Sequence, residues 1–421
     1  MRDAYVIGTS STAFQKWPER SFRDLSDDVV RAVLADAGLA DATQSDSLIG
    51  NVWFANCGMH AFGQANIRGQ AALTPLLNDG VLPPWTPIAN VEGGCATGTL
   101  AFQAAVRDVL SGEVRCSLAV GVEKTIVPDD PMKTVALFKG GADQMHQDEW
   151  LPMVEAAAAR VGLPFALHPA RILFLDTYAM QTLQHMKRWG TTPEQLALVA
   201  AKNHHNGTLN PKAQYRFEVT MEQALADRAV AGPLTRSMCC PVSDGAAAAL
   251  ICSADVLAGL PKAVQDRAIK VRACVVAGGR QRDLEEESLT WTASARAWAR
   301  AGVTPEDIDV VELHDSTAYC EIAATEALGF CERGGGGPLV ESGETRLGGR
   351  MPINPSGGLI SKGHPLAATG LGMIDELVVQ LRGEAGARQA GAPRLGLAQN
   401  AGGLMGFDEA LCGVTVLERM G

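Results

Sequence analysis

The chain has 421 residues, which is too many for one ordinary hydrophobic core, and this length predicts two or three packed units. The net charge of −11 argues against a nucleic-acid partner because phosphates bind basic surfaces, although a local basic cluster could still hold an anionic ligand. No apolar run approaches the roughly 20 residues that span a bilayer, so no membrane span is expected. The N-terminal MRDAYVIGTSS lacks the basic and apolar regions of a signal peptide, and a cytoplasmic location is therefore expected.

Short β-like runs alternate with helical patterns along the whole chain. In order, these runs are DAYVIGTS, DSLIGNVWFA, CSLAVGVEK, AAAALICS, AIKVRACVVAGG, DIDVVELHD and RLGLAQNAGG. Such alternation is typical of an α/β protein with buried sheets.

An internal repeat divides the chain. A helix that ends near Ala37 precedes the strand DSLIGNVWFA, and a helix that ends near Ala301, 264 residues later, precedes the strand DIDVVELHD. The same offset separates Asn90 of NVEGG from Asn354 of NPSGG. Two marker pairs at one offset indicate a duplication, in which two similar α/β halves pack together.

An insertion that the second half lacks runs from Ile126 to about Met238. Two of its segments, ILFLDTYAMQTLQHMKRWG and TPEQLALVAAKNHH, have helical patterns, whereas FKGGADQMHQDEWLPM predicts irregular structure. Loops of this kind are a natural place for substrate binding. We therefore predict an N-terminal half over 1–125, the insertion over 126–238, the end of the N-terminal half over 239–262 and a C-terminal half over 263–421.

Ten cysteines are scattered along the chain, and we expect them all to be reduced. The sequence contains no CxxC pair that would begin a zinc site, so no metal is expected in this chain.

Cys95 stands in GGCATGTLAFQAAVRDVLSGE, where a helical pattern begins at or just after it. The unpaired N–H groups and the dipole of a helix N-terminus favour a thiolate, which is the nucleophilic form of cysteine. The alternative is a small core residue at a tight turn.

Two histidines stand at positions where catalytic groups are common. His364 lies in the glycine- and proline-bounded loop of INPSGGLISKGHPLAATG, from which an imidazole could accept the Cys95 proton. By the 264-residue offset His364 matches Leu100, so the two halves could bring His364 and Cys95 to one site. His314 of ELHDST lies where an apolar strand stops, as ligand sites often do in open α/β sheets. A capping or structural role is the alternative for either histidine.

The segment Asn400-Ala401-Gly402-Gly403 offers bare backbone N–H groups that could form an oxyanion hole. A glycine turn between two strands explains the same residues.

Together these motifs resemble the thiolase superfamily, and within it the sterol-carrier-protein-type and bacterial lipid-transfer-protein thiolases. The matching stretches, in the family's order, are NVEGGCATGTLAFQAAVRDVLSGE, CCPVSDGAAAA, VELHD…TEALG, NPSGGLISKGHPLAATG and QNAGG, and KRWGTTPEQLALVAAKNHHNGTLNPKAQYR resembles the family's loop domain. The resemblance covers almost the whole chain. It implies a duplicated thiolase fold, in which two similar βαβαβαββ halves form α/β/α/β/α layers, with a helical loop-domain insertion.

The resemblance also implies the site roles and the substrate, coenzyme A. Cys95 would form the acyl-enzyme, and His364 would activate it and help bind one thioester oxygen. His314 stands where many thiolases carry asparagine and would position a water or the carbonyl. The backbone of Cys95 and Gly402 would form a second oxyanion hole.

The sequence departs from the family at the second catalytic cysteine, which handles the enolate proton. That cysteine belongs to a C-terminal CxG motif or to an HDCF motif, and here Asn400 and Ser316 occupy the two positions. A serine hydroxyl is far too weak an acid to replace a thiol of pKa about 8.5 directly. Cys320, Ser316 and Asn400 are the candidate proton-transfer groups, and Cys57 of FANCGMH is a further one.

The reaction that this resemblance favours is thiolytic cleavage of a 3-oxoacyl-CoA, or the reverse Claisen condensation, with a bulky or aromatic substrate such as 2-benzoylsuccinyl-CoA as a specific hypothesis. A condensing C-acyltransferase with the same Cys-His-His set is one alternative. A retro-aldolase is another, although such relatives tend to lose the nucleophile and the GHP histidine that this chain keeps. A noncatalytic lipid-binding subunit is the third. The family further implies a homodimer, and this branch often pairs with a small zinc-ribbon/OB-fold subunit.

Overall fold

The computed structural model describes residues 2–39, 48–127, 129–168 and 171–420. The first half contains β1 (Ala4–Ser11), α1 (Phe22–Asp36), β2 (Ile49–Ala55), α2 (Arg68–Asn78), β3 (Ile88–Val91), α3 (Thr97–Ser111) and β4 (Cys116–Glu123). The inserted region contains α4 (Pro131–Lys139), α5 (Gln147–Val161), α6 (Leu173–Trp189), α7 (Pro193–Thr208), α8 (Met221–Ala226), β5 (Ala229–Ala231) and β6 (Leu234–Thr235). Strand β7 (Gly245–Ser253) then returns to the first half.

The second half begins after two short helices, α9 (Ala254–Gly259) and α10 (Lys262–Arg267). Its elements are β8 (Ile269–Gly278), α11 (Leu289–Ala301), β9 (Val310–Leu313), α12 (Ala318–Ala327), α13 (Gly336–Glu341), α14 (Gly358–Lys362), α15 (Leu366–Arg382), β10 (Leu395–Gly402) and β11 (Leu411–Arg419). The β-like runs named from the sequence all fall on strands.

Nine strands form one mixed sheet in the order β3-β2-β4-β7-β1-β8-β11-β10-β9. The first five belong to one half and the last four to the other, and the halves join through the antiparallel pairs Tyr5–Lys270 and Val6–Ile269. A parallel bridge between Val311 and Ile353 takes the place of β3 in the second half. The predicted duplicated α/β fold is therefore confirmed, and the sheet repeats its order across the junction.

Helices α3 and α15 lie between the inner faces of the two halves. One apolar cluster joins Phe102 of α3 and Leu371 and Leu377 of α15 to Ala249 of β7 and Ala398 of β10. Helix α15 is buried along nearly its whole length, as expected for a helix with apolar residues on every face. The apolar faces of α1 and α11 cover the outer sides, which gives the predicted α/β/α/β/α layers.

The offset between the two halves changes at the turn before α15, which is the equivalent of the turn before α3. Helix α3 begins at Thr97 and α15 at Leu366, so the offset has grown from 264 to 269 residues at this point. The five-residue helix α14 accounts for the difference. The match of His364 with Leu100 is therefore wrong: His364 precedes its helix by two residues, as Cys95 precedes α3.

The helical character of the inserted region is confirmed for the two segments named from the sequence, which form α6 and α7. The irregular structure expected for FKGGADQMHQDEWLPM is wrong for its second part, because α5 begins at Gln147. Trp150, Val154 and Ala157 form the buried face of α5, and this packing outweighs the cost of Pro152 within the helix.

The domain boundaries proposed above stay a prediction. Within the described ranges, no helix is both long enough and apolar enough to cross a membrane.

Candidate active site

Cys95, His314 and His364 converge at the meeting point of the two halves. Their donor atoms, the Cys95 sulfur and one ring nitrogen of each histidine, lie within 4.8 Å of one another. Cys95 sits in the 3₁₀ turn Gly94–Ala96 that precedes α3, His314 directly follows β9, and His364 lies between α14 and α15. The fold therefore brings together the three residues that the motifs singled out, although Cys95 is more than 200 residues from either histidine in the chain.

The Cys95 turn depends on close backbone approach. Gly94 has φ +57, and a Cβ atom there would collide with the backbone nitrogen of Gly403. A Cβ on Gly402 would in turn collide with the backbone nitrogens of Cys95 and Ala96. The end of β10 is thus packed directly against the nucleophile turn, which only glycine permits.

The Cys95 thiol is protonated at neutral pH. Burial raises its pKa to about 12, with a further contribution from the negative charge of Glu123, whereas the N–H groups of Cys95 and Gly403 lower it. Loss of solvation thus outweighs the helix dipole and the N–H groups, which by themselves favour the thiolate. A nucleophilic role for Cys95 would need a base that takes its proton.

His364 has the hydrogen bonding of such a base. Its Nδ1 lies 2.8 Å from the Thr369 hydroxyl, and that hydroxyl donates to the Pro365 carbonyl at 3.2 Å. The hydroxyl therefore accepts from Nδ1–H, and Nε2 carries the lone pair. This Nε2 is buried without a hydrogen-bond partner among the described residues. Burial, and to a lesser degree His314, hold the pKa of His364 well below its usual range, so the ring is neutral.

His314 has the opposite tautomer. Its Nδ1 accepts the backbone N–H of Ala401 at 3.0 Å, so the proton lies on Nε2. Within the part of the chain that the structure describes, this Nε2 also lacks a hydrogen-bond partner. Burial lowers the pKa of His314 to about 4. The two rings, whose centroids are 5.1 Å apart, thus present one acceptor nitrogen and one N–H donor beside the same thiol.

Two family models match the chain, the thiolase N-terminal domain over residues 4–255 and the thiolase C-terminal domain-like model over residues 277–413. The chain belongs to the thiolase family. Its fold is the thiolase fold, its activity is that of an acyltransferase, and coenzyme A is its substrate. Because thiolases need no metal, the thiol and the two imidazoles are interpreted as catalytic groups, although the same donor types also bind zinc.

Several relatives cover nearly all of this thiolase. An acetyl-CoA acetyltransferase of Methanothermobacter thermautotrophicus is 38% identical over 96% of this chain and 98% of its own length. Sterol carrier protein 2 of Gallus gallus is 35% identical over 95% of this chain and 70% of its own length. The benzoylsuccinyl-CoA thiolase subunit BbsB of Thauera aromatica is 29% identical over 96% of this chain and 95% of its own length. The predicted sterol-carrier-protein branch is therefore confirmed.

A solved structure of the Ltp2-ChsH2(DUF35) aldolase shares the fold, with a TM-score of 0.76 over 100% of this chain and 98% of its own. Its sequence identity is 22%, so the likeness concerns the fold alone.

Asn400 stands at the CxG cysteine position of this thiolase and holds His314 in place. Its Nδ2 lies 3.4 Å from Nδ1 of His314, and its Oδ1 accepts the Thr99 hydroxyl at 2.9 Å. An amide has no proton to exchange at working pH, so the structure favours an orienting role over the proton-transfer role considered from the sequence.

Ser316 and Cys320, the other candidate proton-transfer groups, lie together. The Ser316 hydroxyl is 3.5 Å from the Cys320 sulfur. Burial raises the pKa of Cys320 to about 11. Cys57 is less suited to an acid–base role, because its sulfur already contacts the Gly94 carbonyl at 3.2 Å and the Thr97 hydroxyl at 3.0 Å, both next to the Cys95 turn.

Asp315, the second residue of the HD motif, supports the site without facing it. Its buried carboxylate accepts the Leu359 N–H at 2.6 Å, which anchors α14, and the Asn203 amide at 2.8 Å, which anchors α7. The conformation of the loop that carries His364 therefore depends on the residue next to His314.

Sequence analysis missed two features of this site. Glu123 at the end of β4 accepts the N–H groups of Cys57 and Gly58 at 3.0 and 2.9 Å, and burial raises its pKa to about 7. A cavity of about 150 Å³ opens beside His314 and is lined by Tyr178, Cys320 and Glu409 among other residues. A glutamate that ends an otherwise apolar strand was the available signal for Glu123, whereas nothing local in the sequence marks Tyr178 or Glu409.

Proposed function

We propose that this thiolase cleaves a 3-oxoacyl-CoA with coenzyme A, or runs the reverse Claisen condensation, through an acyl-enzyme on Cys95. The observation that carries the proposal is the pair of unpartnered Nε2 atoms, one acceptor on His364 and one donor on His314, beside a protonated thiol. Nucleophile, base and oxyanion donor are the three groups that acyl transfer needs.

In this mechanism Nε2 of His364 takes the Cys95 proton while the sulfur attacks the 3-oxo carbon. The pKa of the thiol is raised and that of the imidazole is lowered, so a free ion pair is strongly disfavoured in the resting site. Proton transfer therefore coincides with bond formation, when the developing imidazolium and oxyanion stabilise one another.

The N–H of His314 Nε2 is placed to donate to a substrate oxygen, and so are the backbone N–H groups beside Gly402. Donors fixed before the reaction stabilise the oxyanion without reorganisation, which is typically the largest contribution to acyl-transfer catalysis. The assignment of Cys95 N–H and Gly402 N–H to the second oxyanion hole is part of this proposal.

The acetyl-CoA acetyltransferase relative makes acetyl-CoA and acetoacetyl-CoA the first substrates to test. A second candidate is an aromatic 3-oxoacyl-CoA such as 2-benzoylsuccinyl-CoA. The cavity beside His314 favours it, because its walls include the aromatic residues Tyr178, Trp189, Trp291 and Tyr319, and Arg188 also lines it. The benzoylsuccinyl-CoA thiolase relative supports the same candidate, and aromatic degradation would then be its setting.

Three alternative activities differ in what happens at Cys95. A condensing C-acyltransferase would also acylate Cys95 but would pass the acyl group to an acceptor other than CoA. An aldolase or a noncatalytic lipid-binding subunit would leave Cys95 free. A neutral base next to the thiol supports acylation.

We further propose a homodimer in the cytoplasm that pairs with a small zinc-ribbon/OB-fold subunit. The structural relative with a DUF35 component supports such a partner. Trp85, whose exposed fraction is 95%, is a surface residue suited to a protein contact. Full turnover by the purified chain alone would exclude an obligatory partner.

Intact-mass spectrometry tests the covalent step. The native protein and Cys95→Ala are incubated with acetyl-CoA, acetoacetyl-CoA and 2-benzoylsuccinyl-CoA. We expect an adduct on the native protein that CoA discharges, none on Cys95→Ala, and an adduct mass that identifies the acyl group. Absence of an adduct with every thioester, with or without the partner subunit, contradicts the proposal.

A further inference from the structure

Helix α6 of the inserted region brings a phenol to the active site. Tyr178, Gln181 and His185 of α6 line the cavity that also reaches His314 and Ala401. Their spacing places them on one helix face, so α6 forms a wall of this cavity. Tyr178 is thus a phenol that the inserted region adds to the cavity beside His314.

The Tyr178 hydroxyl lies where this thiolase lacks its second thiol. Tyr178 lines the cavity together with Cys320, whose sulfur lies 3.5 Å from the Ser316 hydroxyl. Ser316, Cys320 and Cys95 all influence the pKa of Tyr178. Ser316 occupies the cysteine position of the family's HDCF motif. Ser316 lowers the pKa of Tyr178, against the larger effect of burial. Because Tyr178 lines the cavity, its hydroxyl can direct a proton into it.

We infer that Tyr178 is the acid–base group that replaces the second catalytic thiol. This inference rests on the proposed function, since it concerns the enolate that C–C cleavage generates. When the Cα–Cβ bond breaks, its electrons form the enolate of the departing acyl-CoA, and the Tyr178 O–H proton moves to Cα. The phenolate then takes the proton of the incoming CoA thiol, whose sulfur attacks the acyl group on Cys95. Collapse releases the second acyl-CoA, and the Cys95 sulfur recovers its proton from His364.

The acidities support each transfer. Burial raises the pKa of Tyr178 well above its usual value, so it stays protonated until an enolate, a far stronger base, is present. The phenolate that results is a stronger base than a thiolate of conjugate-acid pKa about 8.5, so it deprotonates CoA readily. Ser316 alone is too weak an acid, but as a donor to the phenolate it stabilises this intermediate form.

Glu409 is the competing group in the same cavity. Its Oε2 is buried without a hydrogen-bond partner among the described residues, and burial, with Asp408, raises its pKa to about 7. Glu409 belongs to the loop between β10 and β11, whereas Tyr178 shares the cavity with Cys320, the neighbour of Ser316 at the HDCF position. The place of Tyr178 beside this position favours it as the replacement for the missing thiol.

Hydrogen exchange at the methyl carbon of acetyl-CoA tests the inference. The native enzyme, Tyr178→Phe, Tyr319→Phe and Glu409→Gln are incubated with acetyl-CoA in D₂O, and deuterium uptake is followed by mass spectrometry. The exchange requires an acid–base group and an oxyanion hole but no acyl transfer. We expect Tyr178→Phe to exchange at least about 100-fold more slowly than the native enzyme. Tyr319→Phe removes a hydroxyl from the same cavity and is expected to exchange at least ten times faster than Tyr178→Phe.

A second measurement separates this inference from the proposed function. Tyr178→Phe should keep its fold by circular dichroism and should still form an acyl adduct on Cys95. Exchange by Tyr178→Phe within about threefold of the native rate overturns the inference, as does an equal loss in Tyr319→Phe or a loss confined to Glu409→Gln. A native enzyme that is acylated but exchanges no deuterium also overturns it. A native enzyme that does neither overturns the proposed function itself.

Discussion

The two halves of this thiolase place different residues at equivalent positions, and the differences account for the active site. Strand β4 ends at Glu123 and strand β10 ends at Gly402. The backbone N–H of Ala367 at the start of α15 lowers the pKa of Glu123, whereas Gly402 lies against the backbone nitrogens of Cys95 and Ala96 at the start of α3. Each strand thus meets the central helix of the opposite half.

One structural plan therefore serves two purposes. In one half a carboxyl group lies at the N-terminus of α15. In the other half a glycine stands at the equivalent strand end, which lets β10 approach the Cys95 turn closely. The residues two positions before the helices, Cys95 and His364, differ in the same way, as nucleophile and base.

Removal of the base, His364, should have the largest effect on the reaction. We expect His364→Ala to slow acylation of Cys95 by acetyl-CoA about 10³-fold, because no other neutral acceptor faces the thiol among the described residues. His314→Asn is the matched variant, since many thiolases carry asparagine there, and we expect a loss of about tenfold. Rapid-quench mass spectrometry measures both rates. Equal losses in the two variants would contradict the separate roles assigned to the two imidazoles.

Addition of a side chain at Gly402 should reduce the activity somewhat less. A Cβ atom there would push apart β10 and the Cys95 turn, so we expect Gly402→Ala to lower kcat/KM with acetoacetyl-CoA about 10²-fold through the oxyanion donors. Gly383→Ala tests whether any added methyl has this effect, because nothing lies within 4 Å of a Cβ there, although its φ of +74 adds some strain. Activity of Gly402→Ala close to the native value would show that these N–H groups are not used.

Removal of the Glu123 carboxylate should have the smallest effect, a modest change in the reactivity of Cys95. Above pH about 7 Glu123 is ionised, and its charge raises the pKa of Cys95. Removal of this charge in Glu123→Gln should therefore lower that pKa, and iodoacetamide should alkylate Cys95 a few times faster at pH 9 than in the native protein. The exposed Glu113→Gln is the control and should leave the rate unchanged. A slower reaction of Glu123→Gln would have the wrong sign and would contradict the electrostatic account.

The sequence was sufficient to name Cys95, His314 and His364 as candidates, because each stands in a motif at a turn or a strand end and the motifs together resemble one family. It was also sufficient for the repeat, since the markers at Asn90 and Asn354 precede any length difference between the halves. Beyond that point a five-residue helix changed the register, and the equivalence of His364 with Cys95 became visible only in the structure. A local insertion of this kind leaves no periodic signal.

Tertiary effects account for what could not be predicted. The protonation state of Cys95 depends on burial between two halves, which a local helix-dipole argument leaves out. The tautomer of His364 is set by Thr369, which lies within α15. The tautomer of His314 is set by the backbone of Ala401, which is distant in sequence. Tyr178 reaches the site only through the packing of α6.

The burial that keeps Cys95 protonated also bears on oxidative stress. Hydrogen peroxide reacts with the thiolate form of cysteine, and oxidation beyond the sulfenic acid is largely irreversible. A nucleophile whose pKa is about 12 spends almost none of its resting time in that form. We therefore expect the reactive sulfur to form mainly while substrate fills the site, and the protein without substrate to react slowly with peroxide.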